Sequence, residues 1–176
     1  ELMAHTFSYI HKLPTTGLRF FTVYGPWGRP DMALFKFTES ILNDEPIDVY
    51  NNGEHSRDFT YIDDIVQGIL SAADNPPVEN EEWSGEDPDP STSFCPFKIY
   101  NIGNGDPVEL MRFIKLIENE LGKKADINFL PLQIGDVPET HADISSIAKD
   151  LNYSPKTSAN LGIKKFIEWF KDYYKV

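Results

Sequence analysis

The sequence predicts an α/β fold, and three observations carry that expectation. Residues 18–24 (LRFFTVY) and 98–103 (KIYNIG) are β-rich and nearly continuous in apolar side chains, the pattern of central parallel strands buried on both faces. Segments of helical periodicity alternate with them along the chain. The first run also ends in GPWGRP, a loop of breakers at a strand's carboxyl end, where open α/β sheets place their ligands.

In chain order, residues 1–13 set Leu2, Met3, Phe7, Ile10 and Leu13 near helical spacing, but no capping residue or proline precedes them. That helix is expected to begin ahead of residue 1, with the chain a piece cut inside it. Pro14 and Gly17 bracket a turn into the strand at 18–24, and Asp31 is the expected N-cap of a helix over 32–43. Residues 47–50 and 57–62 read as two strands joined by the turn Asn51-Asn52-Gly53, a hairpin. Asp63 or Asp64 then caps a helix to about 73. After the strand at 98–103, Asp106, Pro107 and Glu109 have the spacing of a capping box. The helix they open turns Leu110, Phe113, Ile114, Ile117 and Leu121 inward and stops at Gly122. Residues 127–130 form a strand and Asp143 begins a short helix. Ser158 caps a last helix with Leu161, Phe166, Ile167, Phe170 and Tyr174 inward. Only two runs look like central strands, so more of the sheet is expected upstream.

Composition narrows the function. The 176 residues carry a formal charge of −12, which opposes attraction to nucleic acid, and no apolar run approaches the ~20 residues a membrane span needs. Seven of the 28 acids and five prolines fall between 74 and 97, with no base, so this segment reads as an exposed, flexible insert. The lone Cys95 cannot form an internal disulfide and points to a reducing cytoplasm.

Self-sufficient catalytic machinery is not visible: there is no G-x-G-x-x-G, Walker loop, H-E-x-x-H, paired-cysteine zinc spacing or G-x-S-x-G. Four histidines are scattered, and His5 with His11 lacks the i, i+4 spacing of a shared metal. Binding chemistry concentrates in two places. Thr22 and, seven residues on, Arg29 could hold a carboxylate or phosphate; a pair with Asp31 is the other reading of Arg29. Arg57, opening RDFTYIDDI, could neutralise a phosphate or bridge to Asp58 or Asp64.

Five segments in order, LRFFTVYGPWGRPDMA (18–33), DVYN (48–51), RDFTYIDDI (57–65), YNIG (100–103) and GDVPET (135–140), resemble the C-terminal half of NAD-dependent nucleotide-sugar epimerases of the extended short-chain dehydrogenase/reductase type. Within that family the resemblance runs to the UDP-glucuronate 4-epimerases, bacterial capsule-biosynthesis members included. It implies the C-terminal part of a Rossmann-type fold, two central parallel strands with a smaller mixed substrate-binding region, the dinucleotide-binding part lying outside residues 1–176. It also implies a catalytic Tyr-x-x-x-Lys pair just ahead of Glu1-Leu2-Met3-Ala4, and hence little activity for these residues alone.

By the same resemblance the whole enzyme oxidises C4 of UDP-glucuronate with NAD and returns the hydride to the other face, giving UDP-galacturonate. Thr22 and Arg29 would then face the sugar and its carboxylate, Arg57 the diphosphate with Gln133 and Asp136. Met32, Ala33, Leu34, Val49 and Tyr50 would line the uridine site, with the backbone at Phe20 and Phe21 near the nicotinamide. Asp63 and Asp64 are expected to be structural. Pairing into a homodimer through a bundle that includes the opening helix is also implied. The alternatives are a sibling decarboxylase or dehydratase, and a non-catalytic nucleotide-sugar-binding module.

Overall fold

The computed structural model describes all 176 residues, folded as a mixed α/β chain. Helix α1 (Leu2–His11) leads into strand β1 (Thr15–Phe20), which begins earlier than expected: Gly17 lies inside it, not in a turn, and pairs with Ile99. The strand expected at 18–24 is two strands. At Phe21 the chain changes partners, its amide still bonding Ile102 while the Thr22 amide bonds the Asp58 carbonyl, and β2 (Thr22–Tyr24) follows. Helix α2 (Ala33–Leu42) starts at Met32 with no side-chain cap, because Asp31 is turned to Arg29.

The expected hairpin does not form. Strand β3 (Ile47–Val49) and the turn at 51–53 are present, but the segment beyond divides at Asp58 into β4 (Ser56–Arg57) and β5 (Phe59–Tyr61). Each strand then finds a distant partner. Strand β5 runs parallel to β2. Helix α3 (Ile62–Asp74) follows without a side-chain cap; Asp64 accepts instead from the Lys156 and Thr157 amides, and Asp63 faces Lys165 at 3.6 Å.

Strand β6 (Phe97–Ile102) lies parallel to β1, so the two expected central strands are neighbours. Residues 108–109 form the short strand β7 (Val108–Glu109), antiparallel to β4, in place of a first helical turn, so the expected capping box is absent and α4 (Leu110–Leu121) begins later. Gly122 ends α4 as expected, at φ 69° with its amide on the Glu118 carbonyl. Strand β8 (Ile127–Phe129) pairs in parallel with β3, α5 (Ser145–Leu151) has the Asp143 carboxylate on its Ser145 amide, and Ser158 caps α6 (Ala159–Tyr174) through the Leu161 amide. In α6 Phe166, Ile167 and Phe170 are buried as expected, while Leu161 and Tyr174 face solvent.

The larger core joins α2, α4 and α6 over β2, β3 and β5, with Phe59 stacked on Phe113 at 3.9 Å between ring centroids. The acidic insert is anchored at its far end, where buried Cys95 and Ser93 meet His5 of α1 and the Ser8 hydroxyl donates to the Pro96 carbonyl. No helix is long and apolar enough to cross a membrane.

Candidate functional site

One carboxylate organises the region from beneath. Asp58 is fully buried where β4 passes into β5; its two oxygens accept from the amides of Asn104 (2.6 Å), Gly105 (2.9 Å) and Ala142 (3.0 Å) and from the Thr60 hydroxyl. Two loops from distant parts of the sequence, at 104–105 and at 142, are thus fastened to one residue, which satisfies the requirement that a buried charge be fully bonded. A side chain on Gly103 would overlap Ala142 and crowd Asp58, which accounts for that glycine.

Above this hub lies a cavity of about 240 Å³. Its apolar walls come from Val23, Tyr24, Met32, Ala33, Leu34, Phe37, Phe59 and Leu110, and its polar groups are Thr22, Asp48, Tyr50, His55, Arg57 and Asp136. The loop after β2 is held beside it: Gly25 occupies φ 142°, and Trp27 packs on Trp169 and Tyr173 of α6 at 5.3 and 4.9 Å. Burial pushes the Tyr24 phenol above its ordinary range, with the charges of Tyr61 and Asp64 adding to it, so it stays neutral.

The polar corner is built from tertiary partners. Arg57 donates to Asp136 Oδ1 (2.9 Å), to the Pro138 carbonyl (3.0 Å) and to the Ser56 carbonyl (3.0 Å). It therefore bridges to Asp136, and neither to Asp58 nor to Asp64. Residues 138–140 are laid alongside β4 by the Ser56 amide on the Pro138 carbonyl and the Thr140 amide on the Ser56 carbonyl. His55, joined to α4 through its carbonyl on the Leu110 amide, directs Nε2 to within 3.5 Å of Asp136 Oδ2 without bonding geometry.

The structure thus gathers Thr22, Met32, Ala33, Leu34, Tyr50, Arg57 and Asp136 around one cavity, seven of the residues singled out by sequence. The rest lie elsewhere. Val49 is wholly buried in the core behind the wall, because its β3 position points it inward, and Gln133 is exposed on the turn before Asp136. Arg29 stands outside the cavity, donating to Asp31 at 3.0 Å. Phe20 is exposed at the carboxyl end of β1, with Phe21 beside it at the strand break. His55, Asp48 and the aromatic wall of Tyr24, Phe37 and Phe59 were not anticipated; for His55 the only local signal was its place two residues before Arg57.

Parallel strand pairs under helices, with an apolar cavity ending in an arginine held by a distant carboxylate, define an α/β chain with a pocket of the kind that takes small-molecule ligands. The chain belongs to the NAD dependent epimerase/dehydratase family, whose profile matches residues 1–103. Protein CapI of Staphylococcus aureus is 58% identical over 99% of this chain and 52% of its own length. A probable UDP-glucuronate 4-epimerase of Rhizobium meliloti is 47% identical over 99% of this chain and 52% of its own. The crystal structure of UDP-glucuronic acid 4-epimerase from Bacillus cereus, in complex with UDP-glucuronic acid and NAD, superposes with a TM-score of 0.82 at 31% identity, over 98% of this chain and 50% of that one. The chain spans about half the length of the curated relatives it matches. Two dTDP-glucose 4,6-dehydratases, 18% and 19% identical, share the fold.

Proposed function

We propose that this chain is the nucleotide-sugar-binding part of an NAD-dependent epimerase that interconverts UDP-glucuronate and UDP-galacturonate. The observation that carries the reading is the Arg57–Asp136 pair at one end of an apolar cavity, in a chain similar to enzymes of that name. At about 240 Å³ the cavity is smaller than the roughly 300 Å³ at which drug-sized ligand pockets begin, so it takes the nucleoside end and leaves the rest in the groove outside.

In this reading Met32, Ala33, Leu34 and Tyr50 hold the uridine and Arg57 receives the diphosphate bidentately. Thr22 offers its hydroxyl to the sugar. Arg29 reaches the glucuronate carboxylate by exchanging it for Asp31, a like-for-like swap at the surface. In the free protein Asp136 holds the Arg57 guanidinium, and Gln133 lies on the turn that carries Asp136.

The residues present fit one flank of a dinucleotide site. The exposed Phe20 and the strand break at Phe21 open the carboxyl end of β1, where a flat ring can lie, and no glycine-rich phosphate loop occurs in the 176 residues. When bound, NAD supplies the hydride acceptor and donor at C4. No Tyr-x-x-x-Lys occurs among these residues, so they bind and orient the sugar, and we assign none of them the proton transfer. A second copy is proposed to cover the apolar face of α1, where Leu2, Met3, Phe7 and Ile10 are exposed.

Isothermal titration calorimetry of the chain with UDP, UDP-glucuronate and UDP-glucose tests the reading. UDP and both sugars should bind, the glucuronate most tightly. A chain that binds no uridine nucleotide would overturn it.

A further inference from the structure

His55 has a feature that its role as a wall residue leaves unexplained. It is 7% exposed, Nε2 is buried without a hydrogen-bond partner, and such a group destabilises the fold unless something offsets it. It faces Asp136 Oδ2 at 3.5 Å, a carboxylate whose other oxygen is already taken by Arg57. One carboxylate therefore stands between two groups that each bind anions, satisfying the first and merely covering the second.

The two sides differ in their freedom to move. His55 and Arg57 sit in and beside β4, tied to β7 and α4 through backbone bonds. Asp136 sits in an irregular, exposed turn after Gly135, which adopts φ 88° and has nothing packed where a side chain would be. On its far side the imidazole borders a hollow lined by Glu54, Glu109 and Glu139, which repels an anion. An anion meeting His55 must come from the cavity side, where Arg57 is.

We propose that His55 is a second diphosphate-binding group. In the free protein the Asp136 carboxylate occupies the place of the phosphate; a nucleoside diphosphate entering the cavity displaces it, and the imidazole Nε2–H then donates to a phosphate oxygen beside the Arg57 guanidinium. This rests on the reading of the cavity as a UDP-sugar site, and it adds a residue, a ligand atom class and an exchange of anions to that reading.

Calorimetry on the 176-residue chain with UDP and with uridine separates the two. His55→Phe keeps the ring and removes the donor; it should weaken UDP about tenfold or more and leave uridine unchanged, since a lost bond to a charged partner is worth ~1.5 kcal/mol or more. His55→Gln, which can place an amide N–H near the Nε2 position, should recover part of the loss. Unchanged uridine binding doubles as the control for folding. In wild type, UDP but not uridine should shift the imidazole ¹⁵Nε2 resonance. Equal losses for UDP and uridine, or no loss for UDP, would overturn the role of His55 while leaving the UDP site standing. A wild-type chain that binds neither ligand would overturn both.

Discussion

Two arginine–aspartate pairs, one lining the cavity and one outside it, are made differently. Arg29 bonds Asp31, two residues away, with 73% of its side chain exposed. Arg57 bonds Asp136, 79 residues away, with 18% exposed. The first pair forms wherever the loop 25–31 goes and asks nothing of the fold. The second exists only after β4, β7 and the 133–140 segment have come together, and its partial burial makes each bond stronger and its loss costlier. A local pair is thus a poor guide to a site, because solvent competes for both partners. A distant pair reports that the chain was shaped to hold a charge at that spot.

The difference should first appear in stability. Asp58, the carboxylate beside Arg57, also draws its partners from far along the chain, and Asp58→Ala strands the half-buried amides of Asn104 and Gly105 and the buried amide of Ala142. That should cost on the order of 3–5 kcal/mol and show as a large fall in the urea midpoint. Asp31→Ala, removing the local partner, should leave the midpoint unmoved. Equal shifts from the two substitutions would erase the distinction between the regions.

Binding is the next discriminator. Arg57→Ala should weaken UDP and UDP-glucuronate alike, by roughly 10- to 100-fold, because both ligands carry the diphosphate and the bond is charge-assisted. Arg29→Ala should act on one ligand only. Binding of UDP-glucuronate should fall about two- to fivefold, the range of an exposed ion pair, with UDP-glucose unchanged. A loss shared by both sugars would remove the glucuronate carboxylate as the partner of Arg29.

The same division between local and distant explains what could be read in the sequence. The stop of α4 at Gly122, the cap of α6 at Ser158 and the central strand β6 were legible because periodicity, caps and continuous apolar runs are written within a few residues. The hairpin was misread because Asn51-Asn52-Gly53 is a real turn between strands whose partners, β8, β7 and β2, lie elsewhere. The break at Phe21 left no mark, since a buried strand that changes partners stays apolar throughout. Of the site, Thr22, Tyr50 and Arg57 came from motif and resemblance. His55 did not, because an unpaired buried nitrogen is created by the packing around it and has no sequence pattern.

The smallest expected effect tests the local pair by itself. The Arg29 guanidinium, mainly through its hydrogen bond, holds the Asp31 carboxyl below the usual carboxylate range. A depressed folded-state pKa contributes stability above the unfolded value near pH 4, lost as pH falls through the folded value, so any contribution of this pair vanishes only in acid. In Arg29→Ala, carboxyl ¹³C shifts should show Asp31 titrating higher, back in the ordinary range, while the urea midpoint at pH 7, where the wild-type pair is fully formed, should fall only slightly because both partners are exposed. If saturating UDP-glucuronate also raises the Asp31 titration in the wild type, Arg29 has left Asp31 for the sugar carboxylate. An Asp31 curve unmoved by that ligand would show that the surface pair stays closed, and would leave glucuronate recognition to Thr22 and the cavity.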